Sequence, residues 1–356
     1  MRKELNEKGQ VYRNDIAWEV FSNSIKKIKP SKVFILTDEN THKHCLSYLL
    51  KKKNFEIAPE IITIPEGEIH KNISTSLKVW ETLSDKGADR NSLIINLGGG
   101  VVTDLGGFVA STFKRGVSFI NIPTSLLAMV DASVGGKNGV DLGHIKNQIG
   151  VINLPEMVLI DTEFLNTLPA EHLTSGFAEM LKHGIIYSME YWERVKNINA
   201  TKKIEFEALI WDSIEIKKEI VDKDPFEKNL RKTLNYGHTL GHAIESYFLE
   251  SPDKKTLLHG EAIAIGIILA TYISMETYGF PKKLLQDISK TILKYFPKQT
   301  FSKKDVEAII NLLIFDKKNR NGQVLFVLLD DIGQHKIDCI VSNELIHKAF
   351  EYYKNF

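Results

Sequence analysis

Five short, mostly apolar runs rich in β-branched residues punctuate the first half of this chain, at residues 32–38, 60–65, 92–97, 117–123 and 157–161. Helix-like segments alternate with them, such as residues 73–86, where Leu77, Trp80 and Leu83 share one side. A strand that is apolar on both faces has to be covered on both faces. That pattern implies a parallel sheet with helices packed above and below it. Ligands of such sheets bind at the carboxyl ends of the strands. Asp38, residues 98–104 and Thr124 all lie at such ends.

From Pro169 onward the chain reads mostly as long amphipathic helices, for example residues 208–221 and 261–278. The expected division is therefore an α/β domain over residues 1–168 and an α-helical domain over residues 169–356. Residues 250–255 read as a polar loop between two helices. With 43% apolar and 26% charged residues, the chain has the composition of a soluble globular protein. Its net charge of +1 favours neither nucleic acid nor an anionic membrane surface. The two cysteines, Cys45 and Cys339, form no disulfide framework, which fits a reducing cytoplasm. The polar N-terminus lacks the apolar core of a signal peptide. No stretch reads as the roughly eighteen apolar residues of a membrane span.

Four motifs carry chemistry. Gly98-Gly99-Gly100 follows the third apolar run. It serves either as plain chain reversal or as a turn whose N–H groups approach a pyrophosphate at a helix N-terminus. Asp104, just beyond, either caps that helix or binds a ribose. Residues 130–137 and 144–147 read as a polar loop with glycines, Asp131, Lys137, Lys146 and Asn147, suited to a phosphate or carboxylate. Glu179, His238, His242 and His259 come from three distant segments, and two imidazoles with one carboxylate are the usual protein share of a catalytic zinc site. His238 and His242, at i and i+4, share a helix face, so both bind one metal or one binds while the other handles protons. Glu179 and Lys182, at i and i+3, also share a face. Lys217, Glu227, Arg231, Asn235 and His238 form a polar row of mostly helical spacing that leads into the metal histidine and reads as substrate-facing. A nucleotide-binding turn together with a His/Glu metal set points to metal-assisted redox chemistry on a polar substrate.

In their order and combination, these segments resemble the 3-dehydroquinate synthase family from about Thr37 to about Gly333. The resemblance rests on residues 98–104, 130–137, Lys146-Asn147, 176–182, 234–242 and 258–261. It implies a Rossmann-like N-terminal domain and an all-α C-terminal domain, with the site in the cleft between them. It implies conversion of 3-deoxy-D-arabino-heptulosonate 7-phosphate to 3-dehydroquinate and phosphate, a shikimate-pathway step. NAD would take a hydride and return it, a Zn2+ or Co2+ ion would be required, and the protein would be a cytoplasmic homodimer. The metal ligands implied are Glu179, His238 and His259, with His242 and Glu227 handling protons. Arg115, Asp131, Lys137, Asn147, Lys182, Lys217, Arg231 and Asn235 match substrate contacts, and Lys317 is the better match of two neighbouring lysines. Asp38, Asn40, Glu68, Lys71, Gly99, Gly100, Asp104, Thr124, Ser125 and Lys146 match NAD contacts. Lysines such as Lys137, together with Arg115 and Asn147, would also hold and orient the substrate phosphate, which can itself act as base.

Departures from the family pattern are Thr103 in place of glycine, His144-Ile145 in place of Leu-Gly, and Asn138 where threonine is common. None removes a catalytic group. Three rival readings stand beside this one. A sister sugar-phosphate cyclase would alter the row in which Arg231 and Asn235 here follow the dehydroquinate synthase pattern. A polyol dehydrogenase of the glycerol dehydrogenase type would not need the lysine-rich phosphate site. An inactive NAD-binding scaffold would not need the intact metal set.

Overall fold

The computed structural model describes residues 8–143, 145–198, 203–313 and 324–356. The chain divides into two compact units, Met1–Leu173 and Thr174–Phe356. The division cuts the first turn of the helix Ala170–Tyr187, a few residues beyond the expected boundary at 168/169.

Eight strands are described in the first unit: β1 (Gln10–Arg13), β2 (Val33–Asp38), β3 (Glu60–Ile64), β4 (Leu93–Gly98), β5 (Ser118–Pro123), β6 (Lys137–Leu142), β7 (Ile145–Ile152) and β8 (Met157–Ile160). Six of them form one parallel sheet in the order β1-β8-β5-β4-β2-β3. Every residue of β4 and β8 is buried, as double coverage of apolar strands requires. The helices Ile73–Asp85 and Gly100–Thr112 cover one face. Their Val79, Leu83, Val102, Leu105 and Val109 pack with Phe34, Leu36, Ile94 and Phe119. Each such buried side chain contributes about 1.5–3 kcal/mol. On the helix Asn14–Ile28, Ala17 and Phe21 are fully buried. The neighbouring Trp18 Nε1 and, from the helix Leu46–Lys52, Tyr48 Oη both donate to Asp161 Oδ2, each at 2.8 Å.

From β2 the chain crosses to β3 on one side, and from β4 it crosses to β5 on the other. The strand order therefore reverses between β2 and β4, whose carboxyl ends are Asp38 and Gly98. This is where open α/β sheets hold ligands.

Two features depart from the sequence reading. The edge strand β1 was not expected. The supposed polar loop at 130–147 is a π-helical turn, Ala128–Ala132, followed by an antiparallel hairpin of β6 and β7. The hairpin adds Val140, Ile149 and Val151 to the core. His144 lies outside the described residues.

The second unit is helix-rich but not purely helical. An antiparallel hairpin, β9 (Leu325–Asp331) and β10 (Gln334–Ile340), joins the helices and adds strands the sequence reading lacked. The central helix His259–Tyr278 is buried continuously from Ala262 to Thr271, so it has no polar face. By length and composition it could cross a membrane, contrary to the sequence reading, but 72% of its apolar window is buried in the core. Its apolar surface is already used in packing.

Candidate active site

Three helices bring the metal-type residues together. Glu179 and Lys182 lie on Ala170–Tyr187, His238 and His242 on His238–Glu250, and His259 opens His259–Tyr278. Two glycines permit the approach. Gly237, with φ +76°, breaks the chain just before His238, and a Cβ there would lie 2.7 Å from Ile267 Cγ1. A Cβ on Gly260 would lie 1.9 Å from the carbonyl oxygen of Ser175, so only glycine lets these helices touch beside His259. Glu261 accepts from the Leu258 amide at 2.7 Å and caps the helix at His259.

Glu179 is fully buried, with its Oε1 3.4 Å from His238 Nε2 and 3.6 Å from His259 Nε2. Two ligand atoms each about 2.1 Å from a tetrahedral ion lie about 3.4 Å apart. These separations suit a shared cation better than direct hydrogen bonds. The ligand nitrogens of His238, His242 and His259 also all lie within 4.8 Å of one another. The residues present therefore fit a divalent metal, and Glu179 and His242 compete to complete a set that contains His238 and His259. The other nitrogens of the two shared histidines are engaged. His238 Nδ1 lies 3.1 Å from the Tyr236 carbonyl oxygen, and His259 Nδ1 lies 3.2 Å from Glu245 Oε2. Partners of this kind orient an imidazole toward a metal.

The electrostatics agree with this geometry. Burial opposes ionisation of Glu179, but the Lys182 ammonium and His238 outweigh it and hold the carboxyl well below the usual carboxylate range. Lys182 Nζ pairs directly with Glu179 Oε2. Burial, reinforced by Lys182, lowers His238 and favours its neutral, ligating form. His259 differs: burial opposes its protonation, but Glu245 and Glu179 prevail and push it up to about 10. Without metal, His259 carries a proton that a cation would displace.

The polar row is present but is not one helix. Leu230–Asn235 is a 3-10 turn that ends at the Gly237 break, so the expected continuous α-helical face does not form. Asp224, unnoticed in the sequence, organises this stretch by accepting from the amides of Lys228, Asn229 and Arg231 at 2.7–3.0 Å. The result places Asn235 Nδ2 2.8 Å from Glu227 Oε1, with Glu227 at φ +55°. Arg231 is 1% exposed and donates to the Pro225 carbonyl at 2.7 Å. Lys217, from the helix Lys203–Lys223, is also buried. Lys317 lies outside the described residues.

In the first unit, Gly99 precedes the helix that begins at Gly100, and Thr124 N donates to the Gly98 carbonyl at 3.0 Å. Ser125 Oγ accepts from the Ala128 amide at 3.3 Å. The Thr103 hydroxyl donates back to the carbonyls of Gly99 and Gly100, both at 3.2 Å, within the first turn of the helix. Asn138 donates to the carbonyls of Gly136 and Asn153 and closes the base of the β6–β7 hairpin. Asp38 caps its own helix through Thr41, and Asn40 is exposed beside it. Asp131 lies in the π-helical turn, a local form frequent at functional sites. Lys137 is half-buried at the start of β6.

Glu68, Lys71, Asp104, Lys146 and Asn147 converge on one another. Lys71 Nζ lies 2.8 Å from Glu68 Oε1, 3.0 Å from Asn147 Oδ1 and 3.5 Å from Asp104 Oδ2. Lys146 Nζ lies 2.7 Å from Glu68 Oε1. Burial raises Asp104 to about 7 against the pull of Lys71. Arg115 stands apart. It is exposed beyond the C-terminus of the helix Gly100–Thr112, about 20 Å along that helix from the glycine turn. There it lines a surface pocket with Asp89, Arg90 and Lys114.

Comparison with known proteins shows the family. The model for the N-terminal part of 3-dehydroquinate synthase matches residues 61–175, and the model for its C-terminal part matches residues 176–319. The 3-dehydroquinate synthase of Parabacteroides distasonis is 39% identical over 98% of this chain and 99% of its own length. That of Campylobacter hominis is 36% identical over 93% of this chain and 95% of its own. Among solved structures, 2-deoxy-scyllo-inosose synthase complexed with carbaglucose-6-phosphate, NAD+ and Co2+ has the same fold, with a TM-score of 0.82 at 24% identity over 96% of both chains. A probable glycerol dehydrogenase from Sinorhizobium meliloti is more distant, with a TM-score of 0.62 at 12% identity over 98% of this chain and 97% of its own. This chain belongs to the 3-dehydroquinate synthase family.

Proposed function

We propose that this protein converts 3-deoxy-D-arabino-heptulosonate 7-phosphate to 3-dehydroquinate and phosphate, using NAD+ and a divalent metal, Zn2+ or Co2+. The observation that carries the reading is the buried Glu179 carboxylate facing the Nε2 atoms of His238 and His259, in a chain whose close relatives are 3-dehydroquinate synthases. When bound, the metal acidifies a substrate hydroxyl and NAD+ accepts a hydride transiently.

This chain's own residues do the rest. Glu179, His238 and His259 hold the metal. Lys182, 1% exposed, is a desolvated cation that attracts an anionic substrate group. His242, beside the two ligating imidazoles, moves protons at its ring nitrogen, and Glu227 does so from its turn. Arg231, Asn235 and Lys217 orient the substrate's polar groups. Asp131, Lys137 and Asn147 position the substrate, the last two at its phosphate, so that this phosphate can accept a proton as it leaves. Lys317 also contacts substrate in this reading, and Arg115, remote from the glycine turn within its own chain, would reach substrate only from the second subunit of the proposed homodimer. Gly99, Gly100, Thr124, Ser125, Asp38, Asn40, Glu68, Lys71, Asp104 and Lys146 receive the nucleotide at the strand ends. A homodimer in the cytoplasm is part of the proposal, as is the assignment of residues 1–168 to NAD and 169–356 to metal and substrate.

The test is phosphate release from 3-deoxy-D-arabino-heptulosonate 7-phosphate with catalytic NAD+ and Zn2+ or Co2+, while NADH absorbance is followed. Phosphate equal to substrate consumed, no net NADH and loss of activity with a chelator support the reading. Net NADH without phosphate would make the protein a dehydrogenase. No turnover of this substrate but turnover of glucose 6-phosphate or sedoheptulose 7-phosphate would make it a sister cyclase.

A further inference from the structure

The β6–β7 hairpin contains an irregularity that the functional reading does not use. Val140 pairs with Ile149 and Leu142 with Ile145, so Asp141 alone faces Lys146, Asn147 and Gln148. The bulged strand turns at Asn147, whose φ of +52° is left-handed. Asparagine tolerates this conformation better than most residues, but it is held only where the surroundings fix it.

Asp141 is what fixes it. Its Oδ1 accepts from the Asn147 amide at 2.7 Å, and its own amide donates to the Lys71 carbonyl at 2.8 Å. The same Oδ1 lies 3.8 Å from Lys71 Nζ, which in turn donates to Asn147 Oδ1 at 3.0 Å. Asp141 is 8% exposed and Lys71 is 4% exposed, so these contacts are little screened by water. One carboxylate thus touches both the backbone of the residue assigned to the substrate phosphate and the lysine assigned to the nucleotide. Bulges beside functional sites commonly re-aim a side chain in this way.

We propose that Asp141 is a positioning residue that locks Asn147 and Lys71 into one arrangement, so that the nucleotide and phosphate groups of the site are set together. The inference rests on the roles given to Asn147 and Lys71 above. It assigns no chemical step to Asp141. Asparagine at this position keeps an oxygen for the Asn147 amide, whereas alanine removes it.

The experiment compares D141A and D141N with the wild type. In D141A, KM for the sugar phosphate and for NAD+ should each rise about tenfold, the effect of one lost charge-assisted hydrogen bond, with kcat changed less. D141N should restore both to within about threefold of the wild type, because a neutral acceptor keeps about half of a charge-assisted bond. Hydrogen exchange at the Asn147 amide of the ligand-free protein should accelerate in D141A and not in D141N. Unchanged KM values in D141A, or equal defects in the two variants, overturn the proposal. If the wild type turns over no sugar phosphate, the functional reading fails by itself. Calorimetric titration with NAD+ then decides the role of Asp141: weaker binding in D141A restored by D141N supports it. Equal binding in all three proteins, or no binding by the wild type, overturns it.

Discussion

Glu245 supplies the sharpest test of the proposed metal site, because it acts on a ligand without being one. Its Oε2 lies 3.2 Å from His259 Nδ1, and its side chain is 9% exposed, so the contact is little weakened by solvent. A hydrogen bond to a charged group contributes about 1.5–3 kcal/mol. At about 1.4 kcal/mol per factor of ten, Glu245→Ala should weaken metal binding about 10- to 100-fold. Loss of a partner behind a metal-bound histidine typically costs the same factor. Glu245→Gln keeps a neutral acceptor worth about 0.5–1.5 kcal/mol, so its loss should be smaller, about tenfold or less. The assay is competition for Zn2+ between the metal-free protein and a chromophoric chelator, followed across pH and corrected for the proton that Zn2+ displaces from His259. The correction is needed because Glu245 also strengthens the hold on that proton, and its loss alone would tighten apparent binding near neutral pH. The assay needs no turnover. Affinity in Glu245→Ala within about twofold of the wild type would refute the argument, since that falls well short of one lost hydrogen bond. Equal loss in the Ala and Gln variants would show that packing, and not the hydrogen bond, orients His259.

Three further outcomes are expected. His259 is raised to about 10 in the metal-free protein, so near neutral pH Zn2+ binding should release its proton and affinity should increase as pH rises toward that value; calorimetry in two buffers of different ionisation enthalpy counts the protons released. His238→Ala should lose metal and activity together, whereas His242→Ala should keep metal and lose rate, and equal metal loss in both would put His242 in the ligand set, as read by metal analysis after gel filtration. Lys254 Nζ lies 2.7 Å from Asp305 Oδ2 and ties the loop between the two histidine-bearing helices to the helix Lys303–Leu312. Burial opposes ionisation of Asp305, but Lys254, Tyr247 and the Ser302 cap lower it to about 2. A depressed carboxyl adds stability above its unfolded value and loses it as pH falls, here between about 4 and about 2. Lys254→Met should reduce that acid-sensitive part by no more than about 2 kcal/mol in urea melts at pH 6 and leave KM unchanged. A large KM change would instead show that the loop at residues 250–255 acts on substrate binding.

The site was legible wherever its chemistry is local. Glu179 with Lys182, and His238 with His242, announce a shared face through spacing alone, and the glycine turn announces a helix start after a buried strand. The sheet was legible for the same reason, since strands buried on both faces must be apolar throughout. β1 escaped notice because it is a four-residue edge strand with no fully buried position. The β6–β7 hairpin escaped because its glycines, lysines and asparagines look like a loop, while the bulge that gives them purpose is a property of pairing.

Local spacing also misled at residues 231–238. The helical intervals are real, but Gly237 at φ +76° and the Asp224 cap break the row into a 3-10 turn and a new helix. Glu245 and Asp141 were invisible for a deeper reason. Their partners lie 14 residues away at His259, and 6 and 70 residues away at Asn147 and Lys71, on other elements. By itself the sequence determined the types of elements and the chemical inventory, because helix and strand periodicity and side-chain chemistry are local. Only tertiary packing decided which carboxylate stands behind which imidazole and which amide. Those pairings follow from close helix approach at Gly260 and from strand register in the hairpin, distances that no single segment encodes.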